Sequence, residues 1–130
     1  MGFYVYKTDD GTVTPWEYMV AADGSYVPGQ LLAVVDGELA ALAANTNTTP
    51  PYVCMAEKSV TEGDPILPVT RLRKGAIYET VLSAAAAAAA VGGKLSVASG
   101  GLAAVTGAGT FEIVSLDGKA AGDAVRGRFA

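Results

Sequence analysis

"LLAVVDGELAAL", residues 31–42, decides the fold. Two apolar runs flank Asp36-Gly37, and both of those residues tolerate the positive φ of a type I′ turn, whose twist matches that of paired antiparallel strands. The stretch predicts a hairpin of strands 31–35 and 38–42. The same texture extends in both directions: short β-rich or alternating runs, broken by turn residues, with no long window holding a helical period of 3.6. Strands are expected at 3–7, 12–20 (interrupted by Pro15), 52–56, 66–70, 76–82, 94–98, 102–106, 110–116 and 124–129. Gly100-Gly101 predicts a second tight hairpin, and Asp117-Gly118 followed by "KAAGD" predicts a longer loop. Glycines 29, 63, 92 and 122 each precede an aliphatic strand and mark sharp entries into strands.

One segment breaks the pattern. "SAAAAAAAVGG", residues 83–93, sets seven alanines between Ser83, a good N-cap, and two glycines suited to a C-terminal stop. It predicts a short capped helix crossing one end of the β-structure; a flexible linker would carry Gly, Ser or Pro instead. The expected fold is therefore all-β, a single small β-barrel or sandwich with one short Ala-rich helix and an N-terminal arm. Residues 1–25 form the arm or first strands, and 26–130 the barrel domain. The polar "LAANTNTTPPY", 42–52, reads as a surface loop, since Pro50 and Pro51 fit poorly in a central strand.

Composition narrows the chemistry. The 130-residue chain contains no His, which removes the commonest general base and metal ligand. Its single Cys, Cys54 in "YVCMA", has no internal disulfide partner and reads as a small buried hydrophobe. "DDG" at Asp9–Gly11 begins like a calcium loop but lacks the alternating ligands and the closing Glu. "VGGK", "SGG" and "GAGTFE" form no phosphate loop or dinucleotide fingerprint. Glu57, Glu62 and Asp64 cluster in "AEKSVTEGD", while alternation places Glu79 and Glu112 on outer faces. As a catalytic set they would need two different environments to separate their pKa values, and solvated faces and turn caps are the simpler reading. No enzyme, metal or cofactor is expected.

The net charge of −4 hides a split. Residues 1–70 hold two lysines against nine acids, net −7, and residues 71–130 hold seven basic residues against four acids, net +3. That pattern does not suit a nucleic-acid binder with a long basic stripe, yet it can orient the molecule on a charged partner. The start, "MGFYVYKTDDG", lacks the marks of a secretory leader, and no apolar run approaches a membrane span of about 20 residues. The expectation is cytoplasmic synthesis and no membrane partner.

Two groups of residues are candidate contact sites. Phe3, Tyr4, Tyr6 and Trp16, with Tyr18, crowd the first 18 residues, and "FYVYK" is bulky and apolar on both faces. Such a segment is either a central strand or an arm docked on another chain. "RLRK", with Arg71, Arg73 and Lys74, is a basic turn suited to an acidic surface. A competing reading makes Trp16 with Tyr18 or Tyr52 the aromatic platform of a small-ligand or glycan-binding barrel.

The stretches "VPGQLLAVVDGELAAL" (27–42), "VCMAEKSVTEGDPILPVTRL" (53–72), "IYETVLSAAAAAAAVGGKLSV" (77–97), "GGLAAVT" (100–106) and "GTFEIVSLDGKAAGDAVRGRF" (109–129) together resemble the small β-barrel decoration, or head-stabilising, proteins of tailed-bacteriophage and prophage capsids. The first 25 residues lie outside the resemblance. What it implies is a structural virion protein, without cofactor, that binds the capsid exterior after maturation. Its partner would be the phage major capsid protein, bridged at subunit junctions, and it would act as a homo-oligomer, with a trimer favoured.

Overall fold

The computed structural model describes residues 2–8 and 15–130. The described residues form thirteen strands: β1 (Tyr4–Lys7), β2 (Trp16–Val20), β3 (Gly24–Tyr26), β4 (Leu31–Val35), β5 (Glu38–Ala41), β6 (Tyr52–Cys54), β7 (Lys58–Val60), β8 (Ile66–Arg71), β9 (Ile77–Val81), β10 (Lys94–Val97), β11 (Ala104–Thr106), β12 (Phe111–Leu116) and β13 (Ala124–Phe129). They make a six-stranded sheet ordered β1-β9-β13-β12-β10-β11, a five-stranded sheet ordered β2-β8-β6-β4-β5, and a β3-β7 pair. All ladders are antiparallel. Residues 12–14 of the strand expected at 12–20, and the Asp9–Gly11 stretch, lie outside the described residues.

Alternation decides what each strand buries. In β9 the side chains of Tyr78 and Thr80 point inward between half-buried neighbours, and in β13 those of Val125 and Phe129 point inward on either side of the buried Gly127. The six-stranded sheet wraps a core that includes Phe3, Tyr78, Leu95, Phe111, Ile113 and Phe129. The five-stranded sheet wraps a second core around Leu32, Leu39, Cys54, Leu67 and Val69. Leu31 and Val53 come from the five-stranded sheet but lie in the first core, so the two sheets share a seam. Gly101 lets the seam close: its φ is +75°, its carbonyl accepts the Leu31 N–H at 2.9 Å, and a Cβ there would overlap the Leu31 carbonyl oxygen.

Both large sheets curl back on themselves, but neither closes into a barrel. In the five-stranded sheet, Ala21 and Leu39 form one parallel bridge, and the Ala22 N–H donates to the Leu39 carbonyl at 2.8 Å. In the six-stranded sheet, Leu82 bridges Ala104, and the Ser83 N–H donates to the Ala104 carbonyl at 2.9 Å. In each sheet one bridge stands where a closed barrel would carry a full ladder, and in the six-stranded sheet it leaves the edge strand β1 outside. The fold is thus all-β in curled, antiparallel sheets.

The Asp36-Gly37 hairpin forms as the sequence predicts, with φ of 52° and 82° and Val35 opposite Glu38. The Gly100-Gly101 pair does take positive φ, but β10 and β11 pair only from Val97 and Ala104 outward. The predicted hairpin therefore forms with a longer connection, residues 98–103, in which the Ala98 N–H donates to the Ala103 carbonyl at 2.8 Å and the Gly101 N–H to the Ala98 carbonyl at 3.0 Å. Strands β3 and β7 were not anticipated: each is three residues long and pairs only with the other.

The expected Ala-rich helix does not form. Residues 83–93 make a chain of turns, with Ala89 N–H donating to Ala86 and Gly93 N–H to Ala90, each at 2.9 Å. The rest of its bonding runs outward: Ala86 N–H to the Lys119 carbonyl at 2.8 Å and Gly92 N–H to the Ile113 carbonyl at 2.9 Å. Seven alanines fall short of the roughly 12–15 residues at which helix propagation repays nucleation. Their small size serves a different end, letting the backbone lie close over the core while Ala86 and Ala89 insert into it. Ala86 is buried and Ala85 exposed, so Ala86→Leu should overpack the core and cost about 1–3 kcal/mol in urea unfolding. Ala85→Leu should be close to neutral. Equal effects at the two positions would contradict the threaded-turn description.

Candidate functional site

The N-terminal aromatics separate into inside and outside. Phe3 is 1% exposed, its ring edge-on to Phe111 at a centroid distance of 5.5 Å and tilted against Phe129 at 5.8 Å. It is therefore a core residue in this chain, not a surface available to a partner. The next residues pair with β9, so residues 4–7 are an edge strand of the six-stranded sheet. Tyr4, Tyr6, Trp16 and Tyr18 are 49%, 60%, 51% and 67% exposed. Tyr6 stacks under the Arg126 guanidinium at 5.2 Å.

The two sheets meet at an apolar cleft of about 440 Å³. One wall comes from β1 and β9, where Val5 lies opposite Tyr78. The other comes from a row across the five-stranded sheet, Val53, Thr70 and Trp16, each opposite the next in β6, β8 and β2. Phe3 lies between the walls, and the Tyr4 hydroxyl donates to the Pro28 carbonyl at 3.2 Å, holding its ring at the mouth. Tyr4 and Trp16 are thus brought together here, as are Cys54, Met55 and Thr70. Tyr6 lies outside the cleft lining.

The basic turn stands elsewhere, because adjacent residues of β8 face opposite sides. Thr70 reaches the cleft, while Arg71 lies opposite Tyr52 on the other face, its guanidinium 5.4 Å from that ring's centroid and donating to the Tyr52 hydroxyl at 3.3 Å. Arg71 and Lys74 line an open polar groove with residues 47–51 and Thr110. There the Thr49 and Thr110 hydroxyls bond each other at 2.7 Å. The Arg73 backbone N–H donates to the Tyr78 hydroxyl at 2.9 Å, which ties the turn to the core.

Three carboxylates are engaged with neighbouring cations. Glu79 accepts from Arg126 Nε at 2.8 Å, Asp117 from its Nη1 at 3.1 Å, and Asp64 from Lys58 Nζ at 2.9 Å. The hydrogen bonds from Asp117 and then Glu79 push the Arg126 pKa further up. This network is a product of sheet pairing: Arg126 stands opposite Glu79 in β13-β9 and opposite Ser115 in β13-β12. Only the pairing order, which the sequence does not spell out, reveals it. Among the described residues no three His, Cys, Asp or Glu side chains gather to hold a metal ion, and no helix is long and apolar enough to cross a membrane.

Burial pushes the Cys54 thiol up, against a smaller lowering by the Ala56 and Met55 backbone, and the thiol donates to the Ala56 carbonyl at 3.0 Å. It also pushes the Tyr78 phenol up, against a smaller lowering by the Arg73 backbone. A thiol held neutral in an apolar wall is a poor nucleophile, in keeping with the sequence reading of Cys54. Compared with known protein families and with curated proteins, the chain matches none.

These two acids give stability a defined pH dependence. The folded state keeps their protons above the pH at which the unfolded chain releases them, so stability is full below the reference values of 9.0 and 10.0 and falls as pH rises through them. The urea midpoint should decline between pH 8 and pH 11, and the Cys54→Ala/Tyr78→Phe double variant should show a shallower decline. An equal slope in both proteins would refute this assignment.

Proposed function

We propose that the protein is a structural component of a virion, bound to the outer surface of a phage capsid, where it stabilises junctions between major-capsid-protein subunits. The observation that carries this reading is the uncovered apolar face at the ends of the two sheets. Trp16, Tyr18 and Val20 share one face of β2, with Ile66 opposite Val20 on β8, and Tyr4 and Tyr6 stand on the neighbouring edge strand. Ile66 and Val20 are 37% and 47% exposed, and the four aromatics about half or more. At about 150–250 Å² per aromatic side chain, the four rings alone leave roughly 400 Å² uncovered. That reaches the size at which an exposed apolar patch marks an interaction surface.

Tyr4, Tyr6 and Trp16 are the proposed apolar contact. Arg71, Arg73 and Lys74 form a second, electrostatic one on the opposite face of β8. Phe3 supports the first from inside. Neither contact needs high affinity alone, since many copies on one shell, assembled as a small homo-oligomer with a trimer favoured, multiply weak contacts through avidity. The resemblance to decoration proteins supports the same role, with synthesis in the bacterial cytoplasm and residence on the capsid exterior.

The test is to induce phage from the source organism, band the heads on a density gradient and measure this polypeptide against the major coat protein by mass spectrometry. A fixed, high copy ratio is expected. The Tyr4→Ser/Tyr6→Ser/Trp16→Ser variant should lower occupancy at least tenfold with its unfolding midpoint nearly unchanged, because these side chains are exposed. Arg71→Ala/Lys74→Ala should weaken binding most at low ionic strength, where surface charge is least screened. Absence from banded heads, with abundant soluble protein, would reject the reading.

A further inference from the structure

The cleft between the sheets has properties that capsid docking does not require. Its volume of about 440 Å³ lies within the roughly 300–1,000 Å³ typical of small-molecule sites. Among the described residues no charged side chain lines it. Three of its polar side chains are already used: Tyr4 donates to Pro28, Cys54 to Ala56, and the Tyr78 hydroxyl accepts from Arg73.

Thr70 differs. It is 8% exposed, yet the hydrogen bond its hydroxyl makes is to the Met55 thioether sulfur at 3.7 Å. Sulfur is a weak acceptor, so this buried donor sits in an apolar wall with most of its bonding capacity unspent. It lies between Val53 and Trp16 in the row that forms the wall, and so faces the cleft. A buried hydroxyl favours an oxygen acceptor strongly over a thioether, because in a low-dielectric site an ill-paired polar group is costly.

We infer that this cleft is a binding site for a neutral, ring-bearing small molecule with one hydrogen-bond acceptor. The ring lies between Val5 and Trp16, and the acceptor takes the Thr70 hydroxyl from Met55. The described lining side chains are all uncharged, which favours a neutral ligand over an ion. The shortage of uncommitted polar groups selects against a glycan, whose many hydroxyls would be stripped of water without replacement. Trp16, the single tryptophan of the chain and half-exposed at the mouth, supplies a flat face for the ring. The inference is independent of the capsid reading and is tested on the free protein.

Two probes of nearly equal shape separate its parts: acetophenone, which carries a carbonyl acceptor, and ethylbenzene, which does not. Each is titrated into the full-length 15N-labelled protein, with the Trp16 indole N–H and the Thr70 and Val5 amides as reporters. Both should shift these signals saturably, acetophenone binding roughly three- to tenfold more tightly, the worth of one net hydrogen bond. Thr70→Val, which keeps the shape and removes the hydroxyl, should erase that preference and leave ethylbenzene unchanged. Val5→Trp, which fills the cleft from an exposed strand position, should abolish both titrations. Shifts scattered over the surface without the reporters, equal affinities in the unaltered protein, or a preference that survives in Thr70→Val would each overturn the assignment.

Discussion

The packing of Phe3 against Phe111 and Phe129 is the interaction on which the functional face depends. It takes one aromatic side chain from a segment that is otherwise exposed and sets it in the deepest core, where Phe111 and Phe129 approach each other to 4.9 Å. Burying a phenylalanine is worth about 1.5–3 kcal/mol, enough to hold a four-residue edge strand that would not persist alone. The Phe3 N–H also donates to the Gly29 carbonyl at 2.7 Å, so the same residue ties the six-stranded sheet to the turn before β4. The placement of Tyr4, Val5 and Tyr6 follows from that anchor, whereas Trp16 is set by the pairing of β2 with β8.

Close backbone approach is the second organising feature. Gly127 in β13 leaves room for the Phe111 ring, Gly101 admits the Leu31 carbonyl, and Ala86 and Ala89 let a turn-rich segment close the core. A core assembled this way is thin, and the small residues are there to bring backbones together more than to fill volume. Two curled sheets therefore share a seam at Leu31 and Val53 and diverge beyond it, and the divergence is the cleft. The apolar face and the cleft are two consequences of one geometry: β2 and β8 extend past the point where the six-stranded sheet covers them.

Much of the strand layout was legible in the sequence because alternation and turn chemistry are local. Asp36-Gly37 needs only its own φ preferences to define a hairpin, and β9, β12 and β13 show their buried faces by period alone. What failed was decided by distant contacts. The alanine tract has high helix propensity, but its hydrogen bonds are claimed by Lys119 and Ile113, far away in sequence. The Gly100-Gly101 hairpin does form, and only its length, a six-residue connection whose Gly101 carbonyl also accepts from Leu31, lay outside local turn chemistry. Gly24–Tyr26 and Lys58–Val60 are too short and too polar to signal as strands, and form because each finds the other. At the site, the crowding of aromatics in the first 18 residues was visible. The inward turn of Phe3 was not, since "FYVYK" is apolar on both faces and gives alternation nothing to separate. Thr70 carries no sequence signal at all; only the pairing of β2, β6 and β8 puts its hydroxyl in the cleft wall.

The central claim is that the N-terminal strand is an integral part of the fold, pinned by Phe3, and so presents its aromatics from a fixed platform. Amide hydrogen exchange at Phe3, read by NMR, tests it most directly. The account predicts protection of at least about a thousandfold over an unstructured chain, close to that of core amides such as Ile113. Exchange at the unstructured rate, with core amides still protected, would mean that the segment detaches. The cleft would then lose a wall, and the apolar face would become a mobile arm.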